Sequence, residues 1–579
     1  MAERNQLRDL FDRFVVNGDH RKSDYLGLIR ELIKKGYGGQ DLRQQGIDKA
    51  YQMLYSEIIE NSGTPEKPVS FGTSGWRGVL GKEIFVKSVT QVTRAIVSMY
   101  RGLEGGSELC RILEVKDLKD AQKRGCVLGF DNRFGGEILA IQAAKVLVQA
   151  GFKVHYAGES TTGVLSASLI RRNCAFSINL TPSHNPMEYG GYKFNGGDGG
   201  PAPGEVTSII TENAQAIVER EALDAPPELW SLSDLEVHPS VEFFDSLQCW
   251  MELVKQGEPE HGLNLQKTLA EVSKAGRMAI AVDCIHGASR VHMDRFFQGC
   301  DKSRLVLLRN TRDTTFGGVS PEPSGENLKG VAATLEQRKE PLKLGAIIDP
   351  DGDRIRFYDG HSEIDMNRFG AIAYHFLHEK KGKRGMAGKT VATSNLVNSI
   401  AMGFGESVFE PPVGFKYFKP VIGKALVIFE ESDGISIIGH TPEKDAYIGL
   451  LLAIEIMVST GMSLGEYLGK IEARFGGYYP HRDGVKVEIQ GRQLEQTLSK
   501  LDQYRPGKKV RVGEQSLAIA EVIDVDGYKM ILADGSWLMI RPSGTEPKVR
   551  FYVESRSADG AAELVETAKN MLREIGILK

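Results

Sequence analysis

The sequence predicts a multidomain α/β protein with parallel sheets, followed by a smaller C-terminal α+β domain. Its 579 residues exceed what one hydrophobic core usually organises, so roughly three to five domains are expected. Hydrophobic residues make up 41% and charged residues 26%, an ordinary globular balance. Short apolar strands alternate with amphipathic helices up to about residue 470, a rhythm typical of βαβ units. After that point strands dominate until a long final helix.

The alternation predicts individual elements. Its strands are 127–130, 152–156, 176–180, 278–282, 344–348 and 390–392, with a helix at 137–149. The C-terminal part should contain strands 484–489, 537–540 and 549–554, and a helix from Ala561. Residues 1–66 have apolar side chains at three- and four-residue spacing, which predicts helices. We expect this first segment to be a helical surface extension.

Composition and charge exclude several classes of function. A net charge of −4, from 72 basic and 76 acidic side chains, provides no general basic field for nucleic acid. No stretch approaches the roughly 18 consecutive apolar residues of a membrane span, and no signal peptide is visible after Met1. The six cysteines include no C-x-x-C pair, so zinc and dithiol chemistry have no support. We expect a soluble cytoplasmic protein that binds neither nucleic acid nor membranes.

Three aspartates follow the apolar run 344–348. Asp349, Asp351 and Asp353 repel one another unless a cation lies among them, and hard oxygen ligands favour magnesium or calcium. An EF-hand is excluded, because its sixth and twelfth positions would hold Arg354 and Gly360 instead of Gly and Glu. The alternative is a solvated acidic turn.

A serine between two prolines follows the apolar strand 176–180. In Thr181-Pro182-Ser183-His184-Asn185-Pro186 the prolines restrict the loop, which suits a nucleophile or a phosphate carrier. A Ser/His hydrolase is disfavoured, because neighbouring side chains on an extended loop point apart and a G-x-S-x-G elbow is missing. A capping loop without chemistry stays open.

Two further segments have the composition of anion sites. In the run 541–547 the Arg541 guanidinium and the Ser543 and Thr545 hydroxyls surround Gly544, and such a loop can enclose a phosphate. The segment 71–78 combines three glycines and two hydroxyls with Arg77. Each segment taken alone could equally be a polar turn.

Taken in their order along the chain, the motifs resemble those of the α-D-phosphohexomutase superfamily, which includes phosphoglucomutases and phosphomannomutases. The resemblance runs from about residue 71 to the C-terminus and includes four more segments: 189–193 with Lys193, 316–328 before the aspartates, 413–416 with Gly414 and Lys416, and 430–434 with Glu430 and Ser432. Two positions depart from the family pattern. Pro182 stands where a small residue is usual, and Gly544 stands where Asn is common.

The resemblance implies four domains around a central cleft, three of them related α/β units and the fourth a smaller α+β domain. The expected boundaries are 1–66 for the helical extension, 67–230 for domain I with the phosphoserine loop, 231–335 for domain II, 336–468 for domain III with the metal and sugar loops, and 469–579 for the phosphate-binding domain IV.

The implied activity is that of a phosphoglucomutase, which interconverts glucose 1-phosphate and glucose 6-phosphate through a phosphoserine and a 1,6-bisphosphate. Ser183 would carry the phosphoryl group and, with Asp349, Asp351 and Asp353, would hold one Mg²⁺ per chain. Glucose 1,6-bisphosphate would serve as activator. The other implied catalytic residues are Arg77, His184 and Lys193, and the implied substrate-binding residues are Arg354, Gly414, Lys416, Glu430, Ser432, Arg541, Ser543, Gly544 and Thr545.

Among these residues, Lys193 is the candidate general acid/base. Nearby cations are expected to lower its pKa into a useful range, although it could instead only pair with a phosphate. His184 could equally have a purely structural role.

Other activities remain open at this stage. A phosphomannomutase or a dual-specificity phosphohexomutase is the main alternative, and the Glu430-Glu431 pair favours glucose. More distant alternatives are a magnesium-dependent sugar phosphatase and an inactive sugar-phosphate-binding protein. The expected partner is a small sugar phosphate, and the sequence leaves the oligomeric state open.

Overall fold

The structure is a computed structural model that describes residues 2–35, 40–489, 491–542 and 548–578. The chain begins with three helices, α1 (Ala2–Phe14), α2 (Tyr25–Lys35) and α3 (Gln40–Glu60). These helices are not the surface extension that we expected from the sequence. Their apolar side chains, among them Leu28, Ile29 and Leu54, are fully buried in the same hydrophobic core as the first sheet.

The first α/β unit has a six-stranded sheet, ordered β1-β5-β4-β2-β3-β6. Strands β2, β3, β4 and β6 are parallel, whereas β5 is antiparallel to β4 and β1. Its strands are β1 (Trp76–Val79), β2 (Cys126–Phe130), β3 (Val154–Glu159), β4 (Phe176–Leu180), β5 (Tyr189–Asn195) and β6 (Val241–Phe243). Its helices are α4 (Val86–Arg101), α5 (Glu108–Ile112), α6 (Leu118–Arg124), α7 (Gly136–Gln149), α8 (Thr162–Arg172), α9 (Gly204–Arg220) and α10 (Leu232–Glu236).

The second unit has a five-stranded sheet, ordered β11-β10-β9-β7-β8. Its strands are β7 (Met278–Asp283), β8 (Leu305–Leu308), β9 (Leu342–Ile348), β10 (Ile355–Tyr358) and β11 (Glu363–Ile364). Its helices are α11 (Ser246–His261), α12 (Leu265–Ala275), α13 (Met293–Phe296) and α14 (Gly325–Glu336). Strand β9 pairs in parallel with β7, so the strand and the aspartate segment that we expected to open domain III belong to the second sheet.

The third unit has a four-stranded sheet, ordered β13-β12-β14-β15. Its strands are β12 (Ala387–Lys389), β13 (Val408–Phe409), β14 (Val427–Glu430) and β15 (Gly434–Ile437), and its helices are α15 (Met366–His375), α16 (Leu396–Phe404), α17 (Ala446–Thr460) and α18 (Leu464–Phe475). The strand predicted at 390–392 lies three residues earlier, at 387–389. The chain leaves the sheet at Thr390, whose hydroxyl donates to Glu431 in the turn between β14 and β15.

The C-terminal unit differs in having an antiparallel sheet, ordered β16-β21-β20-β19-β18-β17. Its elements are β16 (Tyr479–Lys486), α19 (Gly491–Leu498), β17 (Lys509–Val512), β18 (Gln515–Ile523), β19 (Tyr528–Leu532), β20 (Trp537–Pro542), β21 (Lys548–Ser555) and α20 (Gly560–Glu574). The chain thus contains three α/β units and a C-terminal α+β unit, which confirms the predicted fold class.

Membrane-spanning potential is slight in the described part of the chain. No single helix there is both long and apolar enough to span a bilayer. The bent pair α17 and α18 meets the length and composition test together, yet α17 is packed inside the core of the third unit.

Candidate functional site

Three loops occupy equivalent places in the three α/β sheets. In each sheet an inner parallel strand is followed by an antiparallel neighbour: β4 by β5, β9 by β10, and β14 by β15. The connecting segments are the serine loop (181–188), the aspartate loop (349–354) and the glutamate loop (430–434). Ligands of α/β sheets bind outside the carboxyl ends of the strands, where these three loops lie. Two of these loops are the serine and aspartate motifs of the sequence, and the third is the segment 430–434 with Glu430 and Ser432.

Ser183 has a strained backbone conformation, and both its N–H and its hydroxyl donate hydrogen bonds. Its φ is 58°, in the left-handed region that side chains other than glycine rarely adopt. Its N–H donates to Thr181 Oγ1 (2.9 Å), and its hydroxyl donates to Asp349 Oδ2 (2.8 Å) and contacts Asp353 Oδ1 at 3.3 Å. The side chain is buried. The left-handed backbone thus points the Ser183 hydroxyl at the aspartate loop.

A buried arginine that sequence reasoning missed holds the serine loop in shape. Arg133 donates to the carbonyl oxygens of Ser183 and Pro186 (2.6 Å each) and also to those of Asn185 and Tyr189. Its Nε lies 3.3 Å from Asp131 Oδ2, which also accepts from the Thr181 hydroxyl (2.7 Å). Four carbonyl oxygens converging on one guanidinium fix the path of the whole loop. The only sequence signal was an Asp-Asn-Arg run directly after β2.

The three aspartates form a buried cluster. One oxygen from each of Asp349, Asp351 and Asp353 lies within 4.8 Å of the other two. Asp349 Oδ1 accepts from the N–H groups of Asp353 and Arg354 (3.0 Å each). Asp351 Oδ1 is buried without a hydrogen-bond partner among the described residues. An unfilled acceptor inside a set of hard oxygen ligands fits a divalent cation such as Mg²⁺.

The aspartates differ in how their surroundings affect ionisation. Burial, together with the neighbouring carboxylates, raises the pKa of Asp349 well above its ordinary value. Burial acts in the same direction on Asp353, but Lys193 and Lys444 outweigh it and hold the pKa of Asp353 well below its ordinary value. A bound cation would favour the charged form of all three groups.

Two lysines neutralise the aspartate cluster. Lys193 Nζ donates to Asp351 Oδ2 (2.6 Å) and Asp353 Oδ2 (2.8 Å). Burial alone would lower its pKa, but the two carboxylates outweigh burial and raise the pKa well above the ordinary lysine value. This corrects the expected lowering, because the nearest charges are carboxylates and not cations. Lys444, which the sequence did not single out, lies 3.2 Å from Asp353 Oδ2 and 3.3 Å from Glu430 Oε1.

His184 lies next to the Ser183 hydroxyl. Its Nδ1 is 3.4 Å from Ser183 Oγ, so the two side chains do not point apart as expected for an extended loop. The left-handed backbone of Ser183 explains the difference. Burial lowers the pKa of His184 well below its ordinary value, and the nearby Arg354 and Arg77 add to this effect. The imidazole is therefore neutral near pH 7.

Two arginines approach the serine loop from different domains. Arg77 Nη1 donates to Asn185 Oδ1 (2.8 Å). Arg354 Nε is a buried donor without a hydrogen bond among the described residues, 3.7 Å from Asp353 Oδ1. An unfilled guanidinium donor close to a serine and a carboxylate cluster suits a phosphoryl oxygen.

The glutamate loop is joined to this centre through Lys444. Glu430 is buried and accepts from Lys444, whereas Glu431 points elsewhere and accepts from the hydroxyls of Thr390 (2.7 Å) and Thr393 (3.2 Å). Ser432 is half-buried. The two adjacent glutamates therefore have different partners, and only Glu430 is linked to the aspartate cluster.

The remaining predicted binding residues lie where the third domain contacts the first and the fourth. Gly414 has a φ of 136°, and a Cβ there would lie 2.7 Å from Thr73 Cγ2. Lys416 is half-buried, with Nζ 5.2 Å from the ring centroid of Tyr417. Arg541 Nε lies 3.2 Å from Asp526 Oδ2. The same oxygen accepts a hydrogen bond from the backbone N–H of Val413, the residue before Gly414. Ser543, Gly544 and Thr545 lie outside the described residues.

A cavity connects these parts. It lies beside the 71–75 segment and is lined by residues of the first, second and third units, among them Thr73, Ser74, Lys193, Asp353, Phe415 and Lys444. One cavity is therefore bordered by the 71–75 segment, by Lys193 and by Asp353 of the aspartate loop. A serine hydroxyl, three carboxylates and an unfilled guanidinium donor close to one another are groups that phosphoryl transfer uses.

Comparison with known proteins identifies the family. Models of the four phosphoglucomutase/phosphomannomutase domains match in order: alpha/beta/alpha domain I at residues 68–221, domain II at 260–362, domain III at 365–475 and the C-terminal domain at 507–570. The domain II match includes the aspartate loop, in agreement with the sheet that contains β9.

Individual relatives are distant but extend over nearly the whole chain. A phosphoglucomutase/phosphomannomutase of Thermococcus kodakarensis is 25% identical, over 87% of this chain and 98% of its own length. A "probable phosphoglucosamine mutase" of Methanopyrus kandleri is 26% identical, over 87% of this chain and 97% of its own.

Solved structures share the fold. That of the Paramecium exocytosis-sensitive phosphoprotein pp63/parafusin, a phosphoglucomutase in its open form, is similar with a TM-score of 0.67 and 20% identity. The match covers 89% of this chain and 96% of that one. Four consecutive domain matches, near-complete coverage and the shared fold together show that this chain belongs to the phosphoglucomutase/phosphomannomutase family of phosphohexomutases, which are phosphotransferring isomerases.

Proposed function

We propose that this protein is a magnesium-dependent phosphoglucomutase that interconverts glucose 1-phosphate and glucose 6-phosphate through phosphorylated Ser183 and a 1,6-bisphosphate. The observation that carries the proposal is the Ser183 hydroxyl, 2.8 Å from Asp349 in the aspartate cluster, with an unfilled Arg354 donor beside it. Such a centre can hold a phosphoryl group between a cation and a guanidinium.

Charge balance supports a phosphoserine at this position. The aspartates already have Lys193, Lys444 and Arg354 as cationic neighbours, and Lys444 is shared with Glu430. A divalent cation adds positive charge among these cations, and a phosphoserine of about −2 charge would offset it. We therefore infer that Mg²⁺ and the phosphoryl group of Ser183 stabilise one another.

The proposed roles follow from these contacts. Mg²⁺ at the three aspartates would neutralise charge on the phosphoryl oxygens during transfer. Arg354 and Arg77 would bind phosphoryl oxygens, and neutral His184 would position the Ser183 side chain. Lys193 would donate a proton at Nζ to the oxygen released as the phosphoryl group moves, which requires that Mg²⁺ draw Asp351 and Asp353 away and so remove the carboxylates that raise its pKa.

Burial of the centre favours transfer between sugar and serine over transfer to water. Ser183 and the three aspartates are almost inaccessible to solvent. A phosphatase must admit water to the phosphoserine, whereas a mutase must retain the bisphosphate and exclude water. The centre is therefore better suited to a mutase than to a sugar phosphatase.

The proposed glucose preference rests on the Glu430-Glu431 pair of the glutamate loop, and not on the O3 and O4 hydroxyls, which glucose and mannose share. Glu430 and Ser432 would bind the sugar O3 and O4 hydroxyls, while Arg541, Lys416, Gly414 and the 543–545 segment would bind the phosphate of the substrate. Relatives named for glucose, mannose and glucosamine phosphates show that the family accepts different sugars. Phosphomannomutase or dual specificity is therefore the principal alternative.

The experiment mixes purified protein with glucose 1-phosphate, Mg²⁺ and a trace of glucose 1,6-bisphosphate, and follows glucose 6-phosphate. Mannose 1-phosphate and glucosamine 1-phosphate are assayed in parallel, and inorganic phosphate is measured in each reaction. We expect conversion to be fastest with glucose, to require the bisphosphate and to release little phosphate. Faster conversion of another sugar would overturn the glucose assignment, and stoichiometric phosphate release would overturn the mutase assignment.

A further inference from the structure

The N-terminal helices contact the segments that surround Ser183. Besides sharing a hydrophobic core with the first sheet, helix α2 carries Arg30, which pairs with Glu188 at the end of the serine loop. Helix α3 carries Glu57, whose Oε1 accepts from Lys82 Nζ (2.6 Å). The family models begin only at residue 68, so these helices lie outside the matched domains.

Tyr51 of α3 links two domains. Its ring packs against Phe134 of the first domain, with ring centroids 4.4 Å apart. Its hydroxyl accepts a hydrogen bond from Thr314 Oγ1 of the second domain (2.7 Å). Nearby, Ile33 of α2 packs so closely on Gly318 that a Cβ there would lie 2.9 Å from Ile33 Cγ2. Helices α2 and α3 therefore hold the segment 313–318 of the second domain against the first.

The held segment in turn contacts the arginine that shapes the serine loop. Phe316, fully buried with a φ of 56°, places its ring 4.9 Å from the Arg133 guanidinium carbon. Asn132 donates to the carbonyl of Asp313 (3.2 Å). Three consecutive residues after β2 thus contact three partners: Asn132 the 313–318 segment, Arg133 the serine loop, and Phe134 the ring of Tyr51.

We propose that Tyr51 is a positioning residue of the active site, which holds the 313–318 segment against Arg133 and thereby keeps the serine loop in its left-handed conformation. The contact chain runs from Tyr51 through Thr314 and Phe316 to Arg133, and from there to the Ser183 carbonyl. The positive φ of Ser183 is unfavourable by itself and persists only where its surroundings impose it. Only the kinetic consequence of this proposal rests on the proposed function.

The test measures hydrogen exchange of peptides covering the serine loop, by mass spectrometry, in the full-length protein. Tyr51→Phe removes the hydroxyl and keeps the ring. Tyr55→Phe is the matched control, because Tyr55 lies one turn further along α3, also contacts Phe134, and has no hydroxyl hydrogen bond among the described residues. We expect Tyr51→Phe to accelerate exchange of the loop about fivefold, the change that corresponds to one net hydrogen bond of about 1 kcal/mol, and Tyr55→Phe to leave it unchanged.

The partner residue gives a second variant pair. Thr314→Val should accelerate exchange as Tyr51→Phe does, without adding to it in the double variant, whereas Thr314→Ser should retain the wild-type rate. Equal exchange in Tyr51→Phe and Tyr55→Phe would overturn the proposal, as would acceleration spread evenly over α1 to α3 and the first sheet.

A kinetic measurement adds the link to the reaction. We expect Tyr51→Phe to lower kcat about fivefold with less than a twofold change in KM, because the substrate contacts remain intact and only the serine loop shifts. An unchanged kcat alongside accelerated exchange would overturn the link to catalysis. If the wild-type protein showed no mutase activity, the proposed function would fail, while the exchange measurement would still decide the role of Tyr51.

Discussion

Replacing Lys193 with Met should tighten binding of Mg²⁺ to the unphosphorylated protein. Lys193 Nζ lies 2.6 Å from Asp351 Oδ2 and 2.8 Å from Asp353 Oδ2. Its positive charge is therefore paired with two of the carboxylates that would bind the metal. The methionine side chain has a similar length and no charge. Removing a cation that competes for the same oxygens should favour a second cation there.

The size of the effect can be bounded from below. A unit charge and a dication about 4 Å apart repel by about 2 kcal/mol even with the dielectric constant of bulk water, and by several times more in a protein interior. Taking the bulk-water value as the minimum, Lys193→Met should lower the Kd for Mg²⁺ at least about thirtyfold. The same variant should lose mutase activity, because the proposed proton donor is gone.

Isothermal titration of Mg²⁺ into the unphosphorylated protein measures this effect. Lys145→Met is the control, because Lys145 is also a buried lysine but its Nζ bonds the carbonyl oxygen of Glu228, away from the aspartates. We expect no change in the control. Unchanged or weaker Mg²⁺ binding by Lys193→Met would refute the reasoning, since either Lys193 does not compete for the aspartates or the aspartates do not bind the metal.

Three further predictions follow from other parts of the structure. Arg133→Lys should lower kcat at least tenfold, because lysine cannot replace four carbonyl contacts and the pairing with Asp131, and steady-state kinetics will show it. Glu430→Ala should reduce kcat/KM for glucose 1-phosphate and mannose 1-phosphate alike, because the two sugars differ only at C2 and share the O3 and O4 hydroxyls; an unchanged kcat/KM with both sugars would contradict its assignment to sugar recognition. Burial raises the pKa of Glu57 to about 7 in the folded protein in spite of its ion pair with Lys82, whereas this carboxyl group loses its proton near pH 4.5 in the unfolded chain. Between these pH values the folded protein therefore binds one proton more than the unfolded chain. Stability should therefore fall by up to about 3 kcal/mol between pH 5 and 8, and chemical denaturation of Glu57→Gln should lack that part of the pH dependence.

Sequence patterns indicated the serine and aspartate loops, which the structure brings into contact, because each loop is local. A strand followed by a serine between prolines, or by three closely spaced aspartates, has the same meaning wherever the strand lies in the fold. The α/β rhythm also predicted the fold class, since alternating strands and helices leave few other architectures. The strand ends at residues 180, 348 and 430 proved to be equivalent positions of three sheets.

The features missed from the sequence depend on tertiary contacts. Strand β9 was placed in the third unit because the rhythm does not reveal which strands pair, and only its register with β7 shows the correct sheet. Lys444 is distant in sequence from Asp353, and Arg133 from the serine loop, so beyond the Asp-Asn-Arg run after β2 no local motif indicated them. The pKa of Lys193 was expected to fall, since the sequence did not show that its nearest charged neighbours are Asp351 and Asp353.

The N-terminal helices show the same limitation. Their spacing of apolar residues correctly predicted helices, but an amphipathic pattern does not say what covers the apolar face. In the structure that face is buried against the first sheet, and Tyr51 and Ile33 also contact the second domain. A segment that was expected to be peripheral thus lies within a few contacts of Ser183.

The central claim, that Ser183 carries the transferred phosphoryl group, can be tested by mapping that group directly. The protein would be incubated with Mg²⁺ and glucose 1,6-bisphosphate that carries isotopically labelled phosphates, and one half would then be chased with unlabelled glucose 1-phosphate before both halves are digested and examined by phosphopeptide mass spectrometry. We predict one labelled residue, Ser183, whose label passes to the sugar phosphates in the chase while Ser183 is rephosphorylated with unlabelled phosphate as glucose 6-phosphate forms, and no labelling of the Ser183→Ala protein. Turnover with the phosphate on another residue, or mutase activity that persists in Ser183→Ala, would contradict the account.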